Sequence, residues 1–253
     1  MVLTASKFVS RKVAKKLRTS SFATKRGRRE KELDTIRLIA ITLCSLISVA
    51  AFTQSAIQRD SRYPPHWWTP VSEVGKPDWE ILPQAAGPGE VILSKRNELG
   101  LLSNFAATPF IYRGKRYASL EGFWQMMLYP EGPNDPRAKF PAISWKYTRA
   151  EVAQMTAFEA KAAGTLAEEN MKRMGINWAT FEGKRFTYRS STPALHYKLI
   201  VEASWAKLRQ NSEVKRVLLS TGDLILKPDH HEEQNAPPEW RYYEIWMQIR
   251  KQL

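Results

Sequence analysis

Residues 101–125 read LLSNFAATPFIYRGKRYASLEGFWQ, and one carboxylate, Glu121, stands among Leu120, Phe123 and Trp124, where a plain core helix has no use for it. At about 100° per residue the apolar stripe holds Leu120, Phe123, Trp124, Met127 and Leu128. Glu121 and Gln125 fall together on its border, one turn apart. This spacing predicts a half-buried carboxylate beside an amide able to orient it. The first turn places it near the positive end of the helix dipole, which favours the ion; burial favours the neutral acid. Such a contest yields a carboxyl group whose charge the protein sets, suited to act as acid, base or stabiliser of positive charge. First-turn glutamates also serve plain helix electrostatics, and spacing by itself leaves both roles open.

Ser103-Asn104-Phe105 is a short polar step before a strand. Asn104 there either caps a turn or presents its amide to a sugar or base, with Phe105 as a stacking face. Three other patterns carry less chemistry. In Asp229-His230-His231-Glu232-Glu233 adjacent side chains do not converge on one ion, and no His-x-x-x-His or Cys partner accompanies them, so a solvated loop is expected. The chain has no Gly-x-Ser-x-Gly and no cysteine placed as a nucleophile. It also lacks a Gly-rich phosphate loop and a dinucleotide fingerprint, so any nucleotide is held by other means.

The elements that must position these residues are set by local signals. Val91 to Leu93 reads as a first strand, and PFIYRGKRYAS as a hairpin turning at Arg113-Gly114-Lys115. Ser119 is an N-cap for the helix carrying Glu121, which Pro130 ends. Thr148 with Glu151 forms a capping box, predicting an amphipathic helix through Val152, Met155 and Phe158 toward a second segment that ends at Gly175, broken or bent at Gly164. GINWATFEGKRFTYRSSTP reads as irregular with some strand. A long helix follows from about Ala194 to Gln210, then a short one capped by Ser212 and closed by Gly222, and a helical tail through Tyr243, Ile245, Trp246 and Ile249. The fold class expected is α+β: a helix-rich single domain with a few short strands.

The chain has 253 residues, 43% hydrophobic, with a formal charge of +14. Most of the excess lies in the first three dozen residues, so the sum does not by itself mark a nucleic-acid surface. An uninterrupted apolar run at 38–52 comes directly after that basic segment, shorter than the ~20 residues of a comfortable bilayer span and nearer a signal-peptide core. The basic flank predicts export or membrane anchoring of the remainder of the chain; a buried helix and a start assigned too far upstream are the other readings, the last implying a cytoplasmic protein. The expected organisation is a basic leader at 1–37, an apolar signal or anchor at 38–56 through which the chain associates with a membrane, a Pro/Trp-rich linker or strap at 57–90, and a compact domain at 91–253. Cys44 is the single cysteine, so no intrachain disulfide forms.

In order along the chain stand LSNF, then F-x-x-x-G-K-x-Y-x-S-x-E-x-x-x-Q, Ala-Lys-Ala-Ala-Gly, Asn177-Trp178, Tyr197-Lys198 and LLSTGD. This order resembles the NADAR (YbiA-like) family from about Val91 to the C-terminus. The resemblance implies an N-glycosidase, hydrolysing the bond between a ribose carbon and a nitrogen in riboflavin-pathway intermediates or in ADP-ribose attached to a base. It implies Glu121 as the catalytic carboxylate, Asn104 and Phe105 as a ligand-contacting pair, Gln125 beside them, Trp178 as a functional residue, and Arg113 or Lys198 on phosphate oxygens. Asp229 is the best match to the family's later acidic residue. The usual Asp-x-aromatic-Trp-Gly and late Gly-x-Asn-x-x-Gly are replaced by PPEWRYYEIWMQIR, which suggests a divergent branch. The implied partner is a small-molecule nucleotide or ADP-ribosyl substrate, nucleic acid entering only as an ADP-ribosylated substrate, with no metal or cofactor required. The alternative is a non-catalytic ADP-ribose or nucleotide-binding module.

Overall fold

A computed structural model describes residues 61–253; the basic leader and the apolar run lie outside the described residues. Tyr, Pro and Trp open the described chain, and the aromatic rings among them hold it against the domain. Tyr63, Trp67 and Trp68 are buried in the main core, Trp67 donating its indole N–H to Glu98 Oε1 at 2.7 Å and Trp68 to the Glu90 carbonyl at 2.8 Å. Residues 61–90 are therefore packed down as a strap, not free as a linker, and belong to the same compact unit as residues 91–253.

Strand β1 (Glu90–Ile92) pairs in parallel with β6 (Ile225–Lys227), so two ends of the domain close on each other through Val91 opposite Leu226. Strands β2 (Phe110–Tyr112) and β3 (Lys115–Tyr117) form the expected hairpin. Its two turn residues, Arg113 and Gly114, both take positive φ, 47° and 74°, the turn whose twist matches the flanking strands. The stretch expected as irregular is a second hairpin, β4 (Trp178–Phe181) with β5 (Lys184–Thr187).

Helix α1 (Leu120–Met126) begins at Ser119, whose hydroxyl accepts from the Gly122 N–H at 2.9 Å. All seven of its residues are buried, so Glu121 and Gln125 are fully buried where a half-buried border was expected. It is enclosed by α2 (Arg149–Val152), α3 (Ala157–Arg173) and α4 (Leu195–Gln210), with α5 (Ser212–Ser220) and α6 (Tyr242–Arg250) completing the domain. The capping box of Thr148 and Glu151 forms as expected. The helix it starts stops at Val152, because the next backbone groups are taken by other parts of the chain: Ala153 O accepts from Ala118 N, Met155 O from the Ser119 hydroxyl, and Ala157 N donates to Phe105 O. Helix α3 in turn runs unbroken through Gly164. Among the described residues no helix is long and apolar enough to cross a membrane.

Candidate active site

The Ser103-Asn104-Phe105 step is held from several elements at once. The Leu102 carbonyl accepts from the Trp246 indole at 2.6 Å, the Ser103 carbonyl from the Lys207 ammonium at 2.9 Å, and the Asn104 carbonyl from the Glu121 N–H at 2.9 Å. Ser103 Oγ accepts from the Phe105 N–H, giving a short polar turn. The loop is thus tied to α6, α4 and α1, and it turns Asn104 and Phe105 toward one cavity.

Glu121 lines the same cavity and is 6% exposed. Burial pushes its carboxyl above the ordinary value of 4.5, against the hydrogen bond from Gln125 and the charges of Lys161, Lys95 and His230. Gln125 Nε2 donates to Glu121 Oε1 at 2.8 Å. The remaining acceptors, Gln125 Oε1 and Asn104 Oδ1, are buried and meet no protein donor. Buried polar atoms in native proteins nearly always have a partner; Gln125 Oε1 instead packs against Gly164, while Asn104 belongs to the cavity lining.

The cavity holds about 380 Å³. Trp79, Phe105, Trp124, Phe158 and Trp240 supply aromatic walls, and Lys95, Lys161 and the His230–Glu233 stretch supply charge. The Asp-His-His-Glu-Glu segment is the expected loop at 231–233, with His231 and Glu233 exposed, but not at its first residue. Asp229 is 1% exposed, and its main chain is captured by the strap: Ile81 N donates to Asp229 O at 2.8 Å, and Glu80 pairs with His230 across an antiparallel bridge. Only the tertiary neighbour, more than a hundred residues earlier, buries it. Burial pushes the Asp229 carboxyl up, but contact with His230 and the adjacent Lys95 ammonium outweigh it and hold the group below its usual range. Asp229 does not itself line the cavity; it grips Lys95 at 2.5 Å and His230 at 3.2 Å, which do. Among the described residues no three His, Cys, Asp or Glu side chains gather as metal ligands would.

Three residues expected at the site lie elsewhere. Trp178 starts β4 and is clasped between Arg185, 3.7 Å from its ring centroid, and Arg137 at 4.9 Å, in a separate hollow with Asp135 and Thr180. Lys198 projects from α4 with 71% of its side chain exposed, toward Glu202. Arg113 is likewise engaged, by Glu182 and Glu202. The cations that do line the cavity, Lys95 and Lys161, carried no signal of their own: Lys161 sits inside Ala-Lys-Ala-Ala-Gly, and Lys95 comes after a strand as surface lysines commonly do. Trp79 belongs to the strap, where a tryptophan beside proline reads as packing.

Fold and cavity together define a helix-rich α+β domain built around a buried, amide-held carboxyl group under aromatic walls. No protein-family model matches the sequence, and no curated protein matches it. A solution NMR structure of the E. coli protein YbiA is similar to this chain, with 20% sequence identity over 63% of this chain and 80% of that one, and a TM-score of 0.39.

Proposed function

We propose that the domain hydrolyses an N-ribosyl bond, in a phosphorylated riboside or in ADP-ribose attached to a base, with Glu121 as the catalytic carboxylate. The observation that carries this reading is a carboxyl group buried at the base of an aromatic-walled cavity and held by an amide from its own helix. The order of matching motifs, LSNF through LLSTGD, points the same way.

The chemistry rests on the charges. Breaking the bond between the anomeric carbon and nitrogen leaves positive charge on the sugar ring, and a fixed carboxylate in a low-dielectric site stabilises that charge and takes the proton of the attacking water. A carboxylate whose affinity for protons is raised by burial is a stronger base, closer to the range where a general base works best. Aromatic faces receive the leaving base, and Lys95 or Lys161 meets phosphate oxygens. Asp229 acts through Lys95 and His230 rather than on the sugar. Trp178 serves the β4–β5 hairpin.

A Glu121→Gln chain tests the assignment. It is expected to bind a phosphorylated riboside and to release no base, whereas hydrolysis at the wild-type rate would overturn the role of Glu121. The second reading, a binding module without turnover, draws on the departure at PPEWRYYEIWMQIR. Binding by the wild-type chain with no base released over many hours would favour it.

A further inference from the structure

Trp79 and Phe158 are large aromatic side chains left 38% and 58% exposed at the mouth of the cavity. Neither contributes to the core, yet Trp79 is placed on a backbone fixed from both sides. His231 N donates to the Trp79 carbonyl at 3.4 Å, Ile81 N to the Asp229 carbonyl at 2.8 Å, and between them the 8% exposed Glu80 takes a two-pronged hydrogen bond from Arg96 at 2.7 and 2.6 Å. Paired guanidinium–carboxylate geometry of this kind fixes direction as well as distance.

The rings form a continuous rim. Trp79 and Phe158 lie 5.9 Å apart at 55°, Phe158 and Phe105 5.1 Å apart edge to face, and the Lys95 ammonium stands 5.5 Å from Trp79 and 5.1 Å from Phe105. An exposed aromatic rim with a cation beside it gains most from a flat, electron-rich partner that stacks. Depth orders the ligand. Glu121 lies at the buried end, so a sugar whose anomeric carbon meets it presents its outward substituent to this rim.

Building on the riboside reading above, we propose that Trp79, with Phe158, forms the base-side subsite and takes a planar heteroaromatic ring, so that the strap ahead of the domain sets which base is accepted. The proposal goes beyond the family resemblance, which begins only near Val91.

Calorimetric titration of the full chain with two probes, adenosine 5′-monophosphate and ribose 5-phosphate, separates the possibilities. Because Trp79 is exposed, Trp79→Ala is expected to fold. It should weaken the nucleotide by about 10-fold, in keeping with the loss of one stacking face, leave ribose 5-phosphate within about 2-fold, and be largely rescued in Trp79→Phe. Unchanged nucleotide binding in Trp79→Ala, or an equal loss for both probes, overturns this subsite and leaves the hydrolase reading standing. A wild-type chain that binds neither probe overturns the riboside reading and the subsite together.

Discussion

The amide of Gln125 occupies the space that position 164 leaves empty: a Cβ on Gly164 would lie 1.9 Å from Gln125 Oε1 and 2.3 Å from its Cδ. Two helices thus meet at the group that holds the catalytic candidate, since the other end of the same amide donates to Glu121. Gly164→Ala would gain about 1 kcal/mol as an ordinary helix-interior change. Here the overlap is expected to cost about 1–3 kcal/mol instead. Displacing Gln125 removes a contact that lowers the Glu121 pKa, so the rising limb of the pH–rate profile should move to higher pH. A profile that stays in place while the protein is merely less stable would sink the coupling.

Glu121 should leave a mark on stability as well as on rate. Its carboxyl is raised above the ordinary 4.5 in the folded protein, mainly by burial. Just above that pH the folded state keeps a proton that the unfolded state has lost, so this group's contribution to stability falls as pH rises through the interval. Thermal unfolding of Glu121→Gln is therefore expected to show a gain over wild type at pH 7.5 that shrinks at pH 4. Equal differences at the two pH values would contradict the raised carboxyl.

Lys207 is fully buried under the Ser103 carbonyl, and burial pushes its ammonium down to about 7. Between that value and the ordinary 10.5 the unfolded chain binds the proton and the folded one does not, so stability rises with pH in this window. From pH 7 to 9 the group should add about 2 kcal/mol. Lys207→Met is expected to lose this rise, read from chemical denaturation at the two pH values. A parallel response in both proteins would mean that the amine stays charged.

Trp178 and Arg137 provide the control for the site. Arg137 is 1% exposed, bonded to the Met127 and Leu128 carbonyls, Asp135 and Thr180, and stacked near Trp178. Arg137→Met should cost about 3–5 kcal/mol by stranding Asp135 and two carbonyls. Trp178→Phe should cost only about 1 kcal/mol through weaker cation–π contacts, and leave nucleotide binding unchanged. A large loss of binding in Trp178→Phe would return that residue to the ligand site.

Much of the local structure was legible because it rests on neighbours in sequence. Ser119 as a cap, the Thr148–Glu151 capping box, the Arg113-Gly114 turn and the helix at 195–210 all depend on residues within a few positions of one another. Where reading failed, the competing partner was distant. The helix expected through Val152 and Phe158 breaks because Ala118, Ser119 and Phe105 claim its backbone groups. Gly164 reads as a breaker until Gln125 is seen to need its missing side chain.

The same division runs through the site. Residue types and their spacing by themselves determined that Glu121 and Gln125 share a helix face, that Asn104 and Phe105 precede it on a turn, and that the order of motifs resembles one family. Only the tertiary structure decided that α1 is buried along its whole length, that Asp229 holds Lys95 and His230 instead of facing the cavity, that Trp178 and Lys198 lie elsewhere, and that a strap tryptophan completes the mouth. Periodicity reports which way a side chain points from its own helix; what it points at, and whether water reaches it, is set by elements far away in the chain.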